Sequence, residues 1–208
     1  SLPDWLEGTT SLQQLRLSTG QYGITLTADF GHAIAHCSQL VELDLSRFVA
    51  TQEWVNALAK AFSSTPNLSK IYLDNMRGFE AVKCDELWRA LSYLPLRNLS
   101  LARAKIPPTQ LIQGLVQLPP TMRHLDLFEN GVNTEVLKTV LTCSYLQSLK
   151  YFRVSCSLLE FNFEAELNVL DFLPRLVEYS SHNSKRKHSK EEKLELERRM
   201  ACKSKVNT

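Results

Sequence analysis

Met122-Arg123-His124-Leu125-Asp126-Leu127-Phe128-Glu129-Asn130-Gly131-Val132 decides how the rest of the chain folds. Its apolar residues Met122, Leu125 and Leu127 stand at i, i+3 and i+5 and are closed by an asparagine and a glycine. That spacing suits a short strand that buries alternate side chains on one face. The same rung begins at Leu12, Leu40, Leu68, Leu96, Met122, Leu149 and Leu176, at intervals of 28, 28, 28, 26, 27 and 27 residues. Six rungs keep apolar residues three and five positions on. The seventh, Leu176-Val177-Glu178-Tyr179-Ser180-Ser181, keeps two anchors and replaces the third with serine.

Between the rungs the apolar period changes from two to nearly four, which predicts a helix in each interval. Leu26, Phe30 and Ile34 fill the first, and Trp54, Leu58 and Phe62 the second, after a capping Thr51. The third holds Val82, Leu87, Leu91 and Leu94, slipped by one residue; the fourth, opened by Pro107-Pro108, holds Leu111, Leu115 and Leu118. Val136, Val140 and Leu141 belong to the fifth, and Phe163, Leu167 and Leu170 to the sixth. Strand and helix repeat together.

A period of 26–28 residues built this way is the mark of a stacked repeat array. From Leu12 to Tyr179 the chain resembles leucine-rich repeat proteins of the ribonuclease-inhibitor type. The resemblance implies an α/β solenoid, a horseshoe arc with a parallel concave sheet of six or seven strands and helices on the outside. It further implies a non-enzymatic scaffold that binds a partner protein on the concave face. In the family an asparagine or cysteine follows the last strand anchor by three residues. Here that position is Asn130 in the fifth repeat but Gly20, Phe48, Met76, Ala104 and Ser157 elsewhere, so most turns must close by another route.

Three segments result: residues 1–11, an N-terminal cap or truncated repeat; 12–179, the repeat array; and 180–208, a charged C-terminal tail. A solenoid end exposes its core unless something covers it, and Trp5 and Leu6 are the large apolar residues available at the first end. Composition narrows the function classes. With 24 basic and 22 acidic residues the net charge is +2, too small to drive the whole chain onto nucleic acid or an anionic membrane. No apolar run approaches the roughly 18 residues of a spanning helix, and residues 1–20 lack the basic lead and apolar core of a secretory signal. Five cysteines, an odd number without a CxxC pair, argue for a reducing, cytoplasmic setting over a disulfide framework. A monomer is expected.

Alternation turns the residues between the anchors toward the concave side. The central row reads Arg16, Asp44, Tyr72, Ser100, Asp126 and Arg153, and the row before it Gln14, Glu42, Lys70, Asn98, His124 and Tyr151. Beyond the strands come Thr19, Arg47, Asn75, Arg103, Glu129 and Cys156. Arginine and tyrosine are enriched at protein interfaces. The residues proposed to bind the partner are Arg16, Asp44, Arg47, Lys70, Tyr72, Arg103, Asp126, Phe128, Tyr151 and Arg153. Seven strands give a floor of roughly 450–500 Å², against about 800 Å² per partner in a standard interface, so either the turn loops contribute or the binding is transient.

Reactive chemistry is not evident. His32 and His36 lie four apart, but Ala33 stands where a zinc protease needs glutamate, and they read as a helix-surface pair. His124 and Asp126 share the concave face, with Ser100 as the best nucleophile on a neighbouring rung, an arrangement that falls short of a catalytic set. No catalytic residue, metal site or cofactor is expected. Some proteins of this fold accelerate GTP hydrolysis by a small GTPase through an arginine of the repeat face, for which Arg47, Arg103 and Arg153 are the candidates. In the tail, the basic run 184–190 leads into a charged helix with too weak an apolar face to bury. The basic run resembles a nuclear-import signal. The glutamates Glu191, Glu192, Glu195 and Glu197 resemble the C-terminal signal of effectors exported by bacterial type IV secretion, which would place the chain in a host cytosol.

Overall fold

The computed structural model describes residues 2–17, 23–155, 167, 168, 170, 171, 173, 178–182 and 189–206. Seven strands form one parallel sheet in chain order: β1 (Gln14–Arg16), β2 (Glu42–Asp44), β3 (Lys70–Tyr72), β4 (Asn98–Ser100), β5 (His124–Leu127), β6 (Tyr151–Ser155) and β7 (Glu178–His182). The registers align Leu15, Leu43, Ile71, Leu99, Leu125 and Phe152 in a single buried row. A repeat of 26–28 residues therefore advances the chain by one strand with no slip along it. This is the leucine-rich repeat solenoid that the rhythm predicts.

Helices α1 (Leu2–Glu7), α2 (Ala28–Ile34), α3 (Gln52–Ala61), α4 (Asp85–Ser92), α5 (Pro108–Leu115) and α6 (Thr134–Thr142) alternate with the strands. Their starts are written locally. Thr51 Oγ1 accepts from Trp54 N at 3.2 Å and Asn133 Oδ1 from Val136 N at 3.0 Å, each satisfying an amide that the helix itself cannot. Pro108 occupies a first-turn position where its missing N–H costs nothing. The helices are shorter than the apolar spacing predicts: Leu26, Val82, Leu94 and Leu118 are buried but lie just outside them, in the connecting turns. At Gly114 on α5 a Cβ would collide with the Trp88 indole, so glycine there lets α5 close on α4. Leu167 and Leu170 are helical, Leu170 buried, while Phe163 falls outside the described residues.

The strand exits share one device. Arg47, Asn75, Arg103 and Glu129 all adopt left-handed backbone, with φ of 73, 55, 59 and 53°. What closes the following turn differs. In the fifth repeat Asn130 is fully buried; its amide donates to Leu101 O at 2.6 Å and its Oδ1 accepts from Ile106 N at 3.2 Å. In the second and third repeats Phe48 and Met76 occupy that place and join the core. There a second backbone ladder takes over through Thr25, Val49 and Arg77, with Val49 N to Ile24 O at 2.9 Å and Arg77 N to Phe48 O at 3.0 Å. Ala50 N, the counterpart of Ile106 N two repeats earlier, donates to Arg77 O at 2.8 Å, so main-chain pairing serves there an amide that a side-chain oxygen serves in the fifth repeat.

The array is flanked by α1 at one end and β7 at the other. Leu6 on α1 is fully buried, whereas Trp5 stays half-exposed. At the other end β7 pairs with β6, setting Tyr179 beside Phe152; the anchors Leu176 and Val177 and the basic residues 184–188 lie outside the described residues. The helix Lys190–Val206 packs Leu196 and Met200 against the core, and Arg199 Nη1 reaches Asp171 Oδ2 at 2.5 Å. The expectation of a tail unable to bury a face is thus corrected: two apolar residues four apart, clamped by an ion pair, suffice. Among the described residues no helix is long and apolar enough to cross a membrane.

Candidate functional site

The pairings that align the core also align the two outward rows. Gln14, Glu42, Lys70, Asn98, His124 and Tyr151 form one, and Arg16, Asp44, Tyr72, Ser100, Asp126 and Arg153 the other. Along this surface charges are handled in two ways.

Near the N-terminal end the carboxylate of Glu42 is only 4% exposed yet meets two cations. Arg16 donates from Nε at 2.7 Å and places Nη2 at 2.5 Å, and Lys70 Nζ stands 3.5 Å from the other oxygen. Ionised acids are rarely buried without such partners.

In the middle of the face lies a depression of about 310 Å³. It is lined by the aromatic residues Tyr72, His124 and Tyr151, by Asp74 and Asp126, and by Asn98, Leu99 and Ser100 of β4. The His124 and Tyr151 rings are 5.9 Å apart, tilted by 31°. Asp74 Oδ1 accepts from Ser100 Oγ at 2.5 Å and from Ala102 N at 2.8 Å. Both donors are neutral and both use the same oxygen. Burial pushes the Asp74 carboxyl above the ordinary carboxylate range, against those two hydrogen bonds and reinforced by the negative charges of Asp126 and Asp44. Asp126 accepts from Phe128 N at 2.9 Å and, at a long 3.4 Å, from Arg153 Nη1. Burial raises its carboxyl too, outweighing those contacts.

A rim follows on the side of the strand exits. The Phe128 ring carries two guanidinium groups, Arg153 at 4.0 Å and Arg103 at 5.4 Å from its centroid. Arg103 also grips Glu129 through Nε at 2.8 Å and Nη2 at 3.0 Å. Asp44 is bound to Ser46, whose hydroxyl donates at 2.6 Å.

The ten sequence-selected residues therefore separate into groups. Tyr72, Asp126 and Tyr151 share the depression; Arg103, Phe128 and Arg153 form its rim; Arg16 and Lys70 hold Glu42; Asp44 neighbours Asp74; and Arg47 stands at a strand exit farther toward the N-terminus. Thr19 and Cys156 lie outside the described residues. The selection missed Glu42, Asp74, Ser100 and His124. Asp74 had a signal, because it stands one residue past a strand anchor, at the same repeat position as the selected Phe128.

Ser100 gives its hydroxyl proton to Asp74 rather than to His124. His32 is exposed on α2, but His36 lies in the turn just past the helix, so the two do not form the expected helix-surface pair; the adjacent Cys37 is buried, its thiol pushed up by burial. Among the described residues no group of three His, Cys, Asp or Glu is placed to hold a metal ion.

No protein-family model and no curated protein sequence matches the chain. Among solved structures it is similar to the C-terminal domain of tropomodulin from Caenorhabditis elegans, at 13% identity and a TM-score of 0.42, over 99% of this chain and 95% of that one. It is also similar to TLR13 in its complex with ssRNA13, at 14% identity and a TM-score of 0.26, over 84% of this chain and 40% of that one.

Proposed function

We propose that the chain is a non-enzymatic scaffold of the ribonuclease-inhibitor repeat type that binds a partner protein on its concave face. The observation that carries this reading is the central depression, where carboxylates and aromatic rings are gathered on a continuous seven-stranded sheet. Aromatic anchors beside partly desolvated charges are what interface hot spots are made of. The test is affinity capture from cell lysate with the intact chain and with a Tyr72→Ala plus Arg153→Ala variant, circular dichroism confirming equal folding. Partners recovered by the first and lost by the second are expected; equal recovery removes the concave face from the reading.

Activation of a small GTPase is the weaker alternative. Of its three candidate arginines, Arg103 and Arg153 are stacked on Phe128 and bonded to acids, where a finger must reach outward. GTP turnover unaffected by Arg47→Ala, Arg103→Ala and Arg153→Ala would end it. A role as a secreted effector rests on the glutamates of the C-terminal helix, whose Leu196 and Met200 pack on the core. Changing Glu191, Glu192 and Glu197 to glutamine tests that role with the packing intact, and undiminished delivery into a host cell would exclude it.

A further inference from the structure

We propose that the central depression receives the guanidinium group of an arginine presented by the partner protein. This rests on the concave-face reading and specifies the chemistry that the face selects. The volume of about 310 Å³ lies at the low end of ligand pockets, which run roughly 300–1,000 Å³. It is large enough for one long side chain.

Charge selects its sign. Asp74 receives two neutral donors on Oδ1, and among the described residues no donor reaches Oδ2 and no cation pairs with the carboxylate. Asp126 faces the same space with, among the described residues, one cation at 3.4 Å, and Asp44 adds a third negative charge within electrostatic reach of Asp74. The Glu42 site shows what this surface does when a carboxylate is meant to be answered from within: two basic side chains converge on it.

The walls select its shape. The aromatic residues Tyr72, Tyr151 and His124 line the depression beside the carboxylates. A guanidinium is planar, weakly hydrated, stacks on aromatic rings and pairs with a carboxylate through parallel hydrogen bonds. An ammonium is a compact, strongly hydrated charge that gains less from such walls. A metal ion would want three or more acidic or imidazole ligands converging, a condition that the described residues do not meet. The same chemistry operates on the rim, where Arg103 and Arg153 already lie on Phe128.

A second depression, about 370 Å³ between α3 and α4, carries no such demand. Its acid Glu86 is already paired with Arg89 one helical turn away, and both are 60% exposed.

The proposal is tested with N-acetyl-arginine-N-methylamide, the equivalent citrulline compound and the equivalent lysine compound. Each is titrated into the full chain while the side-chain resonances of Tyr72, His124 and Tyr151 are followed by NMR. The arginine compound is expected to move all three at millimolar concentration, at least tenfold more tightly than its uncharged citrulline isostere and several-fold more tightly than lysine. Asp74→Asn combined with Asp126→Asn should weaken arginine binding at least tenfold, and Tyr151→Ala several-fold, with the circular dichroism spectrum retained. Equal binding of arginine and citrulline, or full affinity in the double asparagine variant, overturns the proposal; lysine binding as tightly as arginine overturns the guanidinium assignment. Because a blocked amino acid reports on the depression alone, a failure here is distinguishable from a failure of the lysate capture.

Discussion

Glu42 on β2 and Asp74 just past β3 stand on the same concave face, one strand apart, and both are substantially withdrawn from water. Glu42 is met by Arg16 and Lys70. Asp74 is met by a hydroxyl and an amide, with two further carboxylates as electrostatic neighbours. Removing a carboxylate from water costs several kcal/mol unless a cation and hydrogen bonds repay it. The first site repays that cost within the chain and serves the fold. The second leaves part of it outstanding, a debt that a binding partner can settle.

The largest expected effect comes from breaking the satisfied site. Arg16→Met with Lys70→Met strands the Glu42 charge and should destabilise the array by about 2–3 kcal/mol. That is below the roughly 3–5 kcal/mol of a fully buried pair, because the Arg16 and Lys70 side chains are themselves 63% and 43% exposed. The urea midpoint at pH 7 measures it, repeated in a Glu42→Gln background to isolate the coupling. An equal loss in both backgrounds would mean that the two cations matter through packing, and that Glu42 does not depend on them.

The two sites differed in how far the sequence disclosed them. Strand anchors were legible because each repeat restates them: Leu43, Ile71 and Leu99 occupy one slot at a constant interval, and burial demands apolar residues there. The concave rows followed from alternation alone. Charge pairing did not, because Arg16, Glu42 and Lys70 come from three repeats and their convergence depends on side-chain reach across strands. Glu42, placed on the concave row, gave no sign of being buried. Asp74 was passed over because it follows its strand and looks like a turn residue. The docking of Leu196 and Met200 was hidden for a different reason: two apolar residues in a charged helix make no visible stripe, and the surface that receives them is assembled from distant repeats.

A smaller effect of opposite sign is expected at the unsatisfied site. Asp74→Asn keeps an oxygen that accepts from Ser100 and Ala102 and removes the charge. The Asp74 carboxyl is raised in the folded chain, so ionisation favours the unfolded state. Folding is favoured most while the group is protonated and loses ground as pH climbs through the ordinary carboxylate value toward the raised one. At pH 7 the asparagine variant should therefore be more stable, by about 0.5 kcal/mol given the partial exposure of the site. The gain should vanish at a pH low enough to protonate Asp74 in both states. A lower urea midpoint at pH 7 would mean that Asp74 is held as firmly as Glu42, and the contrast between the sites would fail.

The finest test reads the carboxylates one at a time. In a ¹³C-detected titration Asp74 should lose its proton above the ordinary value of 3.8, while the half-buried Glu195, held by hydrogen bonds from Arg198 and Arg199, should titrate at about 2. Asp126→Asn should lower the Asp74 midpoint, since one repelling charge is gone, without restoring it to the ordinary value, since burial is the larger cause. A midpoint that did not move would place the two carboxylates too far apart to act on one ligand. Adding the blocked arginine compound should lower the midpoint in the wild-type chain more than Asp126→Asn does, because a cation placed against the carboxylate acts on it directly. Removing a like charge only lessens a repulsion, and burial would still hold the group up.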